Sequence, residues 1–455
     1  MDAGRRKRLT LVAAILGSGI ALLDGTIVNV ALPSIKADLG GGLAGQQWIV
    51  DAYLLTLGSL LLIGGSLGDV YGERRIFELG VAGFGAASVL CALAPSIWLL
   101  VAARSLQGVA SALLTPASLA VISETFEGDE RGTAIGAWTA WGGIATVIGP
   151  LVGGQIVDVA SWRWIFFINA PFVLVTMALI RAAIPPLAGR RTRHVDVTGA
   201  ALCAVGLAGP VFALIEQPRL GWTHAAVVAG FVAGAVLLPL FVLYELRARD
   251  PMLPCGLFAR RNFAVANVET LVVYAGLSAN FFFLVIFLQQ VAQWSALESG
   301  LAGLPVTIIM FTLSRRFGAL SARYGPRFFM GAGALLAAAG VALLLRLDEH
   351  VSYFADVLPS MVVFGLGLAL TVAPLTTTVM EGAGADNAGI ASGVNNAVAR
   401  VAGLLGIAAV GVAVAGRSGG GLDVAGFHLG MAIVASLVAA GGVTAFLGIR
   451  NRPRV

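Results

Sequence analysis

Gly65-Ser-Leu-Gly-Asp69-Val-Tyr-Gly72-Glu-Arg-Arg75 lies between two apolar runs, residues 46–67 and 76–94, and returns in diverged form as Gly318-Ala-Leu-Ser-Ala322-Arg-Tyr-Gly325 between two later runs. A glycine-bounded polar loop flanked by runs of about 20 apolar residues reads as the corner of a helical hairpin long enough to cross a bilayer. Its return in the second half of the chain marks an internal repeat, a common way of building a membrane transporter.

The composition agrees with the hairpin. Of 455 residues, 58% are hydrophobic and 12% charged, against roughly 25% charged in a soluble domain. Apolar runs of spanning length recur from end to end, at 10–33, 46–67, 76–94, 97–122, 132–157, 163–184, 197–216, 224–245, 262–290, 299–321, 328–346, 355–380, 387–415 and 428–449. The reading is an all-α integral membrane protein of 14 transmembrane helices. Residues 1–184 form an N-terminal six-helix half, 185–250 an inserted helix pair (7 and 8) with its linkers, and 251–455 a C-terminal six-helix half.

Charge sets the orientation. With fourteen spans, 22 of the 29 Lys and Arg fall on one side and five on the other, namely Lys36, Arg163, Arg219, Arg346 and Arg417, while Arg104 and Arg400 lie within spans. The excess of positive charge on one face places both termini in the cytoplasm. Arg5, Arg6, Lys7 and Arg8 precede an apolar run without a small-residue cleavage site, so a retained first helix is expected. The formal charge of +5 is dispersed in short clusters, which argues against a nucleic-acid partner. Cys91, Cys203 and Cys255 imply no disulfide framework.

Six motifs occur in order at corresponding helix positions. They are Leu23-Asp-Gly-Thr-Ile-Val-Asn-Val-Ala-Leu-Pro33 in helix 1, Trp48-Ile-Val-Asp-Ala-Tyr53 in helix 2, and the Gly65 loop with Glu73 at its first basic position. Arg104-Ser-Leu-Gln-Gly108 follows in helix 4, Gly149-Pro-Leu-Val-Gly-Gly154 in helix 5, and Trp162-Arg-Trp-Ile-Phe-Phe-Ile-Asn-Ala-Pro171 in helix 6. Together they resemble the major facilitator superfamily, and within it the fourteen-span drug:proton antiporter family. Ala145 and Ala322 depart from the family pattern, the second removing an acidic residue from the repeated loop.

The resemblance implies a major facilitator fold and roles for particular residues. In the gating loop, Gly65, Asp69, Gly72 and Arg75 are candidates for a latch, against a plain solvated corner. Gly149, Pro150, Gly153 and Gly154 form the antiporter motif, in which Pro150 is expected to interrupt helix 5 and the glycines to admit a neighbouring helix.

The charges inside the spans point to coupling. Asp24 lies nine residues before Pro33, about 13 Å along helix 1 at 1.5 Å per residue, and within about a turn in depth of Arg104. Because a charge in hydrocarbon costs at least about 2.5–3.5 kcal/mol, the two are expected to pair or to line a polar cavity. The coupling set is Asp24, Asp51 and Arg104, with the carboxyls alternating between protonated and charged forms; the competing reading is a static ion pair. The cavity set is Asn29, Gln107, Trp138, Trp141, Glu269, Asn280 and Arg400. Trp138 and Trp141 stand one turn apart on one face, a mismatch in depth separates Glu269 from Arg400, and Phe281, Phe282 and Phe283 are expected to face lipid.

Several chemistries are excluded. His194, His224, His350 and His428 map to loops or span ends, so neither a buried Ser-His-Asp set nor a metal-binding helix motif is present, and the chain does not read as an enzyme. Lys7 and Lys36 are the only lysines and neither follows Gly, so no phosphate-binding loop supplies energy. Energy must then come from ion gradients, and the resemblance implies a secondary transporter that exports an amphiphilic or cationic small molecule in exchange for protons, without a cofactor, in the inner membrane with lipids around it, most simply as a monomer. The alternatives are an exporter of an endogenous metabolite or envelope lipid, and a membrane scaffold with no transport.

Overall fold

A computed structural model describes residues 2–185, 195–249, 251–384, 387–415 and 422–451. His194 and Arg417 lie outside them, as does most of the linker leading into helix 7. Among the described residues the regular structure is helical, and fourteen helices are long and apolar enough to cross a membrane. They are α1 (Gly4–Leu39), α2 (Gly42–Tyr71), α3 (Glu73–Ala92), α4 (Ile97–Thr125), α5 (Glu130–Val159), α6 (Trp164–Ala183), α7 (Val197–Leu220), α8 (Ala225–Glu245), α9 (Arg261–Gln290), α10 (Ala296–Tyr324), α11 (Pro326–Arg346), α12 (Tyr353–Ala383), α13 (Gly389–Ala415) and α14 (Val424–Gly448).

Each expected span corresponds to one helix, but several helices run past the apolar stretch. α1 covers Gly4–Leu39 where apolarity alone gives 10–33, so Arg5 to Arg8 and Lys36 are helical. Arg315 and Arg316, which fall within the expected span 299–321, lie inside α10 on exposed positions. Hydropathy reports the part of a helix that suits hydrocarbon, whereas backbone hydrogen bonding carries the helix on into polar surroundings. Pro150 does not interrupt α5, which continues through it. The lost hydrogen bond is tolerated in spanning helices, where packing keeps the backbone in register.

Side chains close several helix starts. Ser96 Oγ accepts from Leu99 N at α4, Asp196 from Gly199 N at 2.8 Å at α7, and Asp423 from Gly426 N at 2.7 Å at α14. At α10, Ser295 and Glu298 form a capping box.

By contact the chain divides into two compact units. One comprises Met1–Gly41, Trp48–Ala208 and Gly234–Met252; the other comprises Gly42–Gln47, Gly209–Ala233 and Leu253–Val455. In the first, α1 packs on α4, α5 and α6, and α3 on α4 and α6. In the second, α9 packs on α12, α13 and α14, and α11 on α12 and α14, which is the same pattern eight helices later. The repeated corners agree in detail. Gly72 (φ 93°) turns α2 into α3 and donates to Gly68 O at 2.8 Å; Gly325 (φ 94°) turns α10 into α11 and donates to Ser321 O at 2.8 Å. Positive φ is the reason both corners keep glycine.

Arginines at the helix starts repeat as well. Arg6 Nε donates to Ala183 O and Arg74 Nη1 to Ile184 O, tying α1 and α3 to the end of α6. In the second half, Arg261 Nε donates to Gly448 O and Arg327 Nε to Phe446 O, tying α9 and α11 to the end of α14. The last carbonyls of a helix have no partner within it, and a guanidinium satisfies them while matching the helix dipole. The fold is therefore two equivalent six-helix halves with α7 and α8 inserted, the latter packed on each other where Gly209 and Gly230 meet.

Candidate coupling site

Asp24 is buried at the middle of the first half, and four helices supply its surroundings. Arg104 Nη1 of α4 donates to its Oδ2 at 2.5 Å. Its Oδ1 accepts from Gln107 Nε2 at 2.9 Å and from Asn169 Nδ2 of α6 at 3.2 Å. Both amides also reach Ser88 Oγ of α3, at 2.9 and 3.3 Å. Gln107 Oε1 accepts from Arg104 Nη1 at 2.6 Å, and Cys91 Sγ lies 3.7 Å from it. Arg104 and Gln107 are three apart on α4, so both point to one side of the helix.

The second helix grips the same arginine from another direction. Arg104 Nε donates to Ile49 O at 3.1 Å, and its guanidinium lies 4.3 Å from the centroid of the Tyr53 ring. Tyr53 in turn donates through its hydroxyl to Ala21 O, one turn before Asp24, at 3.3 Å. α2 approaches α4 this closely because Gly108 has no Cβ: one placed there would collide with Tyr53 O and Thr56 Oγ1. Arg104, Asp24, Gln107, Ser88 and Asn169 are all at most 2% exposed. A low-dielectric setting strengthens each of these bonds and makes the loss of any partner costly.

Asp51 is different. It is fully buried on α2, two residues beyond Ile49, and neither carboxylate oxygen has a hydrogen-bond partner. Arg104 therefore engages Asp24 and not Asp51, leaving a satisfied and an unsatisfied carboxyl in one half. A buried carboxylate without partners requires a proton or a cation to be tolerated.

The antiporter motif seats on α1 beside this cluster. A Cβ on Gly149 would meet Thr26 Oγ1 and come within 3.1 Å of Leu23 O, and one on Gly153 would meet Ile27. α5 thus rides on the turn of α1 that carries Asp24, with Gly154 also buried. At the gating loop, Gly65 packs beside Pro116, Asp69 is half-buried, and Glu73 is buried against Gly68. Arg75, the expected latch residue, is exposed, and the arginine that bonds at this corner is Arg74. The latter faces the α6 carbonyls because it is one residue further round the helix.

The cavity candidates do not gather into one set. Gln107 belongs to the Asp24 network, with both ends of its amide engaged, and so is not free to meet a guest. Asn29 is half-buried, five residues beyond Asp24, and is not part of the network's bonds. Trp138 packs against a cluster containing Ala14, Ile122 and Phe126, whereas Trp141 is 54% exposed, so the two indoles do not form one wall. Phe282 and Phe283 are buried, contrary to the expectation that they face lipid, and Phe281 lies against Phe364 of α12.

In the second half, Glu269 and Asn280 are fully buried on α9 without hydrogen-bond partners. Arg400 on α13 lies between Asn395, which donates to Thr270 Oγ1 at 2.7 Å, and Gly406, which abuts Ala275. It makes no hydrogen bond to Glu269, whose oxygens have no partner. Asn169 and Ser88 were not anticipated as site residues. Asn169 stands in the helix 6 motif, and a polar residue at the start of an otherwise apolar span was its one signal; Ser88 has none.

A chain whose described residues form fourteen membrane-length helices in two repeated halves, with a buried ion-pair network in the first, has the make-up of a polytopic membrane transporter. The family profile described as Major Facilitator Superfamily matches residues 14–407, and the chain belongs to that superfamily. The puromycin resistance protein of Streptomyces alboniger is 38% identical over 88% of this chain and 80% of its own length. Multidrug resistance protein Stp of Mycobacterium tuberculosis is 36% identical over 90% and 76%. The tetracenomycin C resistance and export protein of Streptomyces glaucescens is 35% identical over 90% and 76%. Among solved structures, a POT family transporter in complex with a thioalcohol-conjugated peptide superposes with TM-score 0.72 at 11% identity, covering 96% of this chain and 95% of that one, a likeness of fold. The protein is a multi-pass transporter of small molecules and not an enzyme.

Proposed function

We propose that this transporter exports amphiphilic, often cationic, small molecules across the inner membrane in exchange for protons, with the proton gradient as sole energy source and both termini in the cytoplasm. The observation that supports it is the contrast between Asp24, held by Arg104, Gln107 and Asn169, and Asp51, buried nearby in sequence to an Arg104 contact but without a partner. The relatives named above for resistance to puromycin or to multiple drugs fit such a cargo.

The chemistry follows from one guanidinium and two carboxyls. A proton arriving on Asp24 weakens its hold on Arg104, which stays tethered to α2 through Ile49 O. Asp51, two residues along, then becomes the alternative counter-charge for Arg104 and can release its own proton. Each exchange loosens α1 from α4 or tightens it, and α5, seated on α1 through Gly149 and Gly153, follows. The guest would meet residues outside the network; Asn29 and Trp141 are candidates within the first half, and Asn280 and Arg400 are candidates within the second.

A second reading, export of an endogenous natural product, draws on the relative named for tetracenomycin C resistance and export. The experiment is efflux of a lipophilic cationic dye from energised everted vesicles, with wild type, Asp24→Asn and Asp51→Asn, with and without a protonophore. Protonophore-sensitive dye movement that both substitutions abolish is expected. Dye movement that ignores the protonophore would overturn the proton coupling, and no dye movement from folded protein would favour the natural-product reading.

A further inference from the structure

Glu269 has no role in the network around Asp24, which belongs to the other half. It lies eight residues beyond Arg261, about 12 Å into α9 at 1.5 Å per residue. It is fully buried, and neither carboxylate oxygen has a hydrogen-bond partner. The polar residues beside it are engaged: Asn267 donates to Phe263 O at 2.9 Å, Thr270 to Ala266 O at 2.9 Å, and Asn395 to Thr270 and Asn267.

Its side of α9 is the one against α14. A Cβ on Gly441 would meet Val273 Cγ2 at 2.7 Å and lie 3.9 Å from Glu269 Cγ, and Gly276, two turns on, faces Val438 and Val434. The surroundings are therefore apolar, and glycine lets α14 close over the carboxyl. The charged and titratable groups on the elements packed against α9 are occupied elsewhere or lie on another side. Arg260 bonds to Ala383 O, Glu298 to its capping box, and His428 to Leu347 O. Arg400 is carried by α13, Glu381 lies in the last turn of α12, and Cys255 lies in the turn before α9. None of them bonds to Glu269.

A residue needed only for packing between Val273 and Gly441 would be apolar, because a carboxyl there brings a desolvation cost and returns no hydrogen bond. We propose that Glu269 is a third proton-carrying carboxyl, in the other half from Asp24 and Asp51, which binds one proton in the closed surroundings seen here and releases it when α9 and α14 admit water in another state of the cycle. This rests on the proton-exchange reading above and adds a proton to its stoichiometry.

The test uses full-length protein in liposomes at zero membrane potential, with a pH step of one unit and a neutral amphiphilic guest. Each coupled proton multiplies the steady-state guest gradient tenfold per pH unit, equivalent to about 1.4 kcal/mol. Glu269→Gln is expected to lower that gradient tenfold with guest-for-guest exchange unchanged, while Glu269→Asp keeps the wild-type gradient. If Glu269→Gln does not fold, a hydrophobic carbodiimide applied to turning-over wild type, with the adduct mapped by mass spectrometry, is expected to label Glu269. A Glu269→Gln gradient equal to wild type, exchange lost together with the gradient, or no adduct on Glu269 would each overturn the proposal. A wild type that builds no gradient from the pH step would instead overturn the proton-exchange reading itself.

Discussion

Arg104 reaches Asp24 through Nη1 at 2.5 Å while its Nε holds the carbonyl of Ile49, so one guanidinium joins α4 to both α1 and α2. Removing one member of such a buried pair strands the other, at a cost of about 3–5 kcal/mol, whereas removing both is far milder. Arg104→Met alone is expected to lower the unfolding midpoint in detergent sharply, and Arg104→Met with Asp24→Asn to recover most of the loss. If the double variant is as unstable as the sum of the singles, the pair is not the unit that holds these helices.

Asp51 predicts the opposite pattern. Its oxygens make no hydrogen bond, so Asp51→Asn removes no partner and leaves the unfolding midpoint where it was or raises it. Uphill export driven by a pH gradient is expected to disappear while downhill movement of the same guest persists. Full uphill export by Asp51→Asn would take Asp51 out of the coupling scheme.

Much of this was open to reading from the residues. Fourteen apolar runs became fourteen helices because a bilayer allows little else, and the depth match of Asp24 with Arg104 anticipated their contact. What hydropathy could not show was direction around a helix axis. Phe282 and Phe283 look like lipid-facing residues until α9 is seen to bury that side, and Trp138 and Trp141 share a spacing yet differ in exposure. Gln107 reads as facing a guest because a polar residue in a span suggests a cavity; its place between Asp24, Arg104 and Ser88 depends on three helices converging. Ser88 shows the limit most plainly, since a single serine among alanines and glycines carries no mark of the carboxylate network it completes.

The seating of α5 on α1 can be probed with two glycines of one helix. A Cβ on Gly153 meets Ile27 and lies 3.1 Å from Val30 Cγ2, whereas one on Gly143 meets nothing within 4 Å. Gly153→Ala is expected to cost about 1–3 kcal/mol through overpacking, and Gly143→Ala to be neutral or stabilising by up to about 1 kcal/mol through helix propensity. Thermal unfolding of the two variants decides it. Equal effects would mean that α5 does not bear on α1 through this motif.

The corner between α2 and α3 carries two adjacent arginines with different surroundings. Arg74 donates to Ile184 O at 2.6 Å and so satisfies the end of α6, while Arg75 is exposed. A hydrogen bond from a charged donor contributes about 1.5–3 kcal/mol, most of it when the acceptor would otherwise lie unpaired. Arg74→Ala is therefore expected to destabilise the first half by that order, and Arg75→Ala to stay within about 0.5 kcal/mol, as for a surface change. The two also separate stability from gating. If Arg75 latches the corner in another state of the cycle, Arg75→Ala changes the transport rate at unchanged stability. If both rate and stability of Arg75→Ala match wild type, the latch at this corner is Arg74 on the α6 carbonyl, and the equivalent bond from Arg327 to Phe446 O becomes the place to look for its counterpart in the second half.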